Sequence, residues 1–152
     1  TNCVLTDVYS IDSNNIVACG YQNDTSDLLI FKSTDAGETW AKINATDYSF
    51  KPGDFNAYCR VFARSINEIF IVDRTAMDGK VAFTLDGGTT WQLSNSCLAG
   101  GTIGTIWESN TVGFIASGNR IFKTIDSGST WTALTNSAAN QFASPDFKMY
   151  FK

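Results

Sequence analysis

The sequence predicts an all-β protein built from β-propeller blades, and three observations predict it. An eight-residue pattern recurs three times along the 152 residues. Short apolar runs of strand character flank each copy in the same order. The Asp residues of the copies, Asp35, Asp86 and Asp126, stand 51 and 40 residues apart, a period suited to one four-stranded propeller blade.

The copies are Ser33-Thr34-Asp35-Ala36-Gly37-Glu38-Thr39-Trp40, Thr84-Leu85-Asp86-Gly87-Gly88-Thr89-Thr90-Trp91 and Thr124-Ile125-Asp126-Ser127-Gly128-Ser129-Thr130-Trp131. All read Ser/Thr-x-Asp-x-Gly-x-Thr-Trp. A first strand is expected at Val8-Tyr9-Ser10-Ile11, Val61-Phe62-Ala63-Arg64 and Ile106-Trp107-Glu108-Ser109. A second follows a turn, at Ile16-Val17-Ala18-Cys19, Ile69-Phe70-Ile71-Val72 and Gly113-Phe114-Ile115-Ala116. The turn segments Asp12-Ser13-Asn14-Asn15 and Ser109-Asn110-Thr111 carry residues that turns favour. The third strands, Leu28-Leu29-Ile30-Phe31, Val81-Ala82-Phe83 and Ile121-Phe122, lead into the octets, and a polar-edged fourth strand starts at each Trp. Each octet is thus a hairpin connection. The blades span about residues 4–45, 58–95 and 103–135, with a partial blade or closing strand at about 145–152.

The octet chemistry is structural. The carboxylates of Asp35, Asp86 and Asp126 can accept backbone N–H groups of their own loop, which braces a tight reversal. Gly37, Gly88 and Gly128 can take positive φ where other residues are strained. The hydroxyls of Ser33, Thr84 and Thr124, with those of Thr39, Thr90 and Thr130, add donors and acceptors. Trp40, Trp91 and Trp131 are expected to lay a large apolar surface beneath the hairpin.

The octets resemble the Asp-box, or bacterial neuraminidase repeat. That resemblance implies a β-propeller with each box between the third and fourth strands of a blade, away from the active face. The wider text, such as Arg120-Ile121-Phe122-Lys123-Thr124, is similar to blades of photosystem II stability-factor-like propellers and of viral and secreted repeat proteins. The box therefore implies architecture rather than activity.

Propellers close with about four to eight blades, and three blades leave unpaired edges and an uncovered face. The aromatic run Phe147-Lys148-Met149-Tyr150-Phe151 reads as the first strand of a further unit. The chain is expected to be a segment of a longer propeller or a subunit that completes a ring with copies of itself. Its start, Thr1-Asn2-Cys3, has no initiator Met or leader and reads as a processed or cropped product.

Composition limits the chemistry. The formal net charge is −4, which disfavours nucleic acid or an anionic membrane surface. No run of about 18 apolar residues is present, so no membrane insertion is expected. With no His, the commonest general base, imidazole-dependent triads and the usual catalytic zinc ligand are removed. No metal or cofactor is expected. Cys3, Cys19, Cys59 and Cys97 include no C-x-x-C pair; they read either as buried apolar residues or as disulfide partners, with Cys59–Cys97 the first pairing because both flank one repeat.

The sialidases that share the repeat name hold the substrate carboxylate with three arginines, use a Tyr–Glu pair as nucleophile and an Asp as acid or base, and carry an Arg-Ile-Pro segment. This chain has Arg60, Arg64, Arg74 and Arg120 at unrelated places in its repeats and no Arg-Ile-Pro. Asp7, Asp12, Asp54, Glu68, Asp73 and Glu108 show no spacing that selects the carboxylate pair of a glycosidase. The Asp-Gly stretches lack the acidic density of a calcium loop. Tyr48, Phe50 and Phe55, in the long segment between the first two repeats, are the candidate binding loop for a sugar or a protein, or a plain connector. Asn23-Asp24-Thr25 and Asn44-Ala45-Thr46 match glycosylation sequons by pattern.

The reading is a non-catalytic propeller module for binding or assembly. Its expected partner is protein, through self-association or the rest of a longer propeller, with a glycan second. The Ser, Thr and Asn-rich composition points to an extracellular or virion-surface setting. A sialidase-like glycoside hydrolase fragment and a photosystem-assembly-factor-like scaffold are the alternatives.

Overall fold

The structure, a computed structural model, describes residues 2–25, 27–43, 59–73, 81–94, 102–118 and 120–134. Among them are three four-stranded antiparallel sheets, each in simple sequence order. The first blade holds β1 (Cys3–Ser10), β2 (Ile16–Gln22), β3 (Leu28–Ser33) and β4 (Ala41–Lys42). The second holds β5 (Cys59–Ala63), β6 (Ile69–Asp73), β7 (Val81–Thr84) and β8 (Gln92–Leu93). The third holds β9 (Thr102–Trp107), β10 (Gly113–Ser117), β11 (Arg120–Thr124) and β12 (Thr132–Ala133). The fourth strands are two residues long and begin just after each box Trp, not on it.

Strand alternation gives the middle blade two apolar faces. Val61, Ala63, Ile69, Ile71, Ala82 and Trp91 share a core with Val17, Cys19, Ile30 and Ile43 of the first blade. Phe62, Phe70, Val72, Val81 and Phe83 share another with Ile115, Phe122 and Trp131 of the third. The near-continuous apolar runs of β6 and β7 follow from this, because both faces of that sheet are covered.

Packing is complementary at matched positions. In the second blade Ala63 pairs with Ile69; at the same register in the third, Trp107 pairs with Gly113. A Cβ at Gly113 would stand 2.6 Å from the Trp107 ring. A large and a small side chain have exchanged places across the strand pair.

Candidate functional site: the open face of the first blade

The three boxes share one hydrogen-bond pattern. The hydroxyls of Ser33, Thr84 and Thr124 donate to the carboxylates of Asp35, Asp86 and Asp126 at 2.7, 2.7 and 2.8 Å. The same hydroxyls accept the N–H of Gly37, Gly88 and Gly128 at 2.9, 2.9 and 3.0 Å. Each carboxylate then accepts the backbone N–H of Thr39, Thr90 or Thr130 at 2.9 Å and that residue's hydroxyl. Hydrogen bonds from Thr39 and Ser33 hold the Asp35 pKa down at about 2, and those from Thr90 and Thr84 do the same for Asp86. At Asp126 partial burial opposes the charge, but bonds from Thr130 and Thr124 outweigh it and the pKa is lowered.

Positive φ falls at two successive box positions. Gly37, Gly88 and Gly128 lie at 90°, 95° and 92°, and the residues before them, Ala36, Gly87 and Ser127, at 60°, 74° and 60°. The N–H of this preceding residue bonds to the first turn of its own blade, at the carbonyls of Asn14, Asn67 and Thr111. The sequence reading missed this second position; the Gly87-Gly88 pair was its only sign.

The second and third boxes also dock on the blade before them. A Cβ at Gly88 would lie 2.3 Å from Ile43 Cγ2, and one at Gly128 would lie 2.8 Å from Phe70 Cε1. Lys32 Nζ donates to the Gly87 carbonyl at 3.2 Å. Trp91 and Trp131 are each 5% exposed because they fill the space between adjacent blades. Arg64 ties the second junction: it pairs with Glu68 at 3.2 Å, donates to the Asn110 carbonyl, and lies 4.4 Å from the centre of the Trp107 ring.

The first blade has no such neighbour among the described residues, and its box Trp departs from expectation. Trp40 is 43% exposed, although its indole N–H reaches the Gly37 carbonyl at 3.0 Å just as that of Trp91 reaches Gly88 at 3.2 Å. The intrablade geometry is the same; only the covering blade differs. Around Trp40, Leu5, Val8, Ala18 and Phe31 line an apolar groove of about 670 Å³, with Leu5 59% and Val8 62% exposed. Register shows what this face is. Ile16 pairs with Ser33 as Ile69 pairs with Thr84, so Val8, Ala18, Phe31 and Trp40 occupy the places of Val61, Ile71, Ala82 and Trp91.

The other candidates divide. Tyr48, Phe50, Phe55 and Cys97 lie outside the described residues. The expected pairing of Cys59 with Cys97 therefore falls partly outside them; Cys59 is a free thiol whose sulfur faces that of Cys19 at 3.0 Å. Its strand brings it to the junction with the first blade. Among the described residues no three metal-ligating side chains converge. Several carboxylates already have backbone or ion-pair partners: Asp7 accepts the Val61 N–H at 3.1 Å, Asp12 braces the Asn14-Asn15 turn, and Glu68 pairs with Arg64.

The sheets are blades of a β-propeller. A solved structure of YCF48 bound to D1 peptide is similar to the chain at a TM-score of 0.61 and 21% identity, over 90% of this chain and 41% of that one. The crystal structure of the Niastella koreensis GH74 enzyme is similar at a TM-score of 0.60 and 16% identity, over 85% of this chain and 17% of that one. The chain therefore spans less than half the length of either, and at these identities the likeness is one of fold. No protein-family model and no curated protein matches the sequence.

Proposed function

We propose that the chain is a non-catalytic Asp-box propeller module for binding and assembly, and that the open face of its first blade takes another blade of the same kind. One observation carries this reading. The face around Trp40 matches, position by position, the second-blade face that is buried around Trp91.

The opposite end of the array supports the same partner. Lys123 directly precedes its box as Lys32 does, and Leu134 bonds to the Ile121 carbonyl as Ile43 bonds to that of Ile30. Lys32 and Ile43 grip the Gly87-Gly88 box of the next blade. Lys123 and the 38% exposed Leu134 are therefore placed to grip an Ala36-Gly37 box, in a second copy or in the remainder of a longer propeller.

Protein recognition also agrees with YCF48 having been solved with a bound peptide. The structural employment of Asp7, Asp12, Asp35, Glu68, Asp86 and Asp126 favours binding over glycoside hydrolysis. The polar, histidine-free composition supports an extracellular or virion-surface setting. Light scattering on the chain tests the reading: a mass above 16.6 kDa is expected, falling to monomer in folded Val8→Glu. A compact wild-type monomer contradicts it, and turnover of a fluorogenic sialoside would replace it with the hydrolase reading.

A further inference from the structure

Two thiols meet where the first and second blades join. Cys19 on β2 and Cys59 on β5 are 0% and 3% exposed, with their sulfurs 3.0 Å apart. Both sit on strands, so their approach is set by sheet geometry.

A β-bulge in β1 helps to build the pair. Leu5 pairs with Gly20 and Asp7 with Cys19, which leaves Thr6 as the extra residue. A Cβ at residue 20 would lie 2.1 Å from the Val4 carbonyl oxygen, so the bulge requires glycine there. The Thr6 hydroxyl donates to the Cys59 carbonyl at 3.0 Å and lies 3.3 Å from Cys59 Sγ and 3.7 Å from Cys19 Sγ. Beside it, Asp7 accepts the Val61 N–H from β5. These two bonds tie β1, which pairs with β2, to β5 beside the sulfurs.

We infer that Cys19 and Cys59 are the partners of a disulfide that staples the first blade to the second. The sulfurs need to close by about 1 Å to reach bonding distance. The bond would link residues 40 apart, a loop long enough to restrict the unfolded chain substantially. A low-molecular-weight disulfide serves as oxidant. The thiolate of one of the two cysteines attacks one sulfur of that reagent and expels its first thiol, leaving a mixed disulfide. The other cysteine then loses its proton, attacks the protein sulfur of that mixed disulfide and expels the second thiol. Two protein S–H bonds become one S–S bond, and the reagent's S–S bond becomes two S–H bonds. In the closed junction, hydrogen bonds from Cys19 and Thr6 favour the Cys59 thiolate and lower its pKa, while the same pairing and burial raise that of Cys19; with the junction open these contacts are absent and either thiol can attack first. Exchange takes place while the junction is open during folding, and the closed junction then shields the bond.

The test refolds the full chain in mixed oxidised and reduced glutathione, alkylates it with iodoacetamide, and maps peptides without reduction. The expected result is a loss of about 2 Da, a linked Cys19–Cys59 peptide pair, and a Tm that falls by roughly 5–10 °C on adding dithiothreitol. Cys3→Ser/Cys97→Ser, which leaves this pair alone, should behave identically, and Cys59→Ser should lose all three signals. Alkylation of both Cys19 and Cys59 in the refolded chain, or linkage of Cys59 to Cys97 or Cys3, would overturn the assignment.

Discussion

Ile43 of the first blade closes over Gly88 in the box of the second, with its Cγ2 2.3 Å from where a Cβ on residue 88 would stand. The contact turns a local hairpin device into an interblade one. At the matching Gly37 the nearest atom to such a Cβ is Ile16 Cδ1 at 3.7 Å, within the same blade.

Gly88→Ala and Gly37→Ala therefore share a backbone penalty, since φ is 95° and 90°, but differ in packing. Urea denaturation should show Gly88→Ala as the less stable by about 1–3 kcal/mol, the cost of an overpacked core site. In an assembled form Gly37→Ala should weaken association instead.

Acid should loosen the boxes in a defined window. The folded pKa values of Asp35 and Asp86 lie near 2, below their ordinary values. Their carboxylates thus add stability above the unfolded pKa of about 4, and this is lost as pH falls toward 2. Thermal melts between about pH 5 and 2 should show Tm declining through that window, with a shallower decline in Asp86→Asn.

The exchange of Ala63 and Ile69 for Trp107 and Gly113 makes a double-mutant test. Gly113→Ile alone should strongly destabilise the third blade, because the ring of Trp107 occupies the space. Adding Trp107→Ala restores the second-blade combination and should recover stability, with a coupling of about 1–3 kcal/mol in a denaturation cycle.

Ala36 holds a left-handed φ of 60° where the second box has Gly87. Ala36→Gly should stabilise the first hairpin by about 0.5–1 kcal/mol, relieved strain exceeding the added freedom of the unfolded chain. Differential scanning calorimetry would register the gain.

The local parts of this architecture were legible in the sequence because their causes are local. Asp86 and Thr90 are four residues apart and bond to each other, so residue type and spacing define the turn. What the octet could not convey was the fate of its Trp. Trp40 and Trp91 have the same immediate context and the same indole bond, yet differ in exposure because burial depends on the neighbouring blade. The meeting of Cys19 and Cys59 was hidden for a similar reason: it arises from facing sheets and the Thr6 bulge, whereas the sequence reading weighed cysteines by their place relative to one repeat.

The dependence of each box on the blade before it is tested most directly by comparing Trp91→Ala with Trp40→Ala in a Val8→Glu background that keeps the open face unoccupied. Equilibrium urea unfolding should show a loss of about 3–5 kcal/mol for Trp91→Ala and about 1 kcal/mol or less for Trp40→Ala. Equal losses at the two positions would show that the indole acts within its own hairpin, contradicting the account.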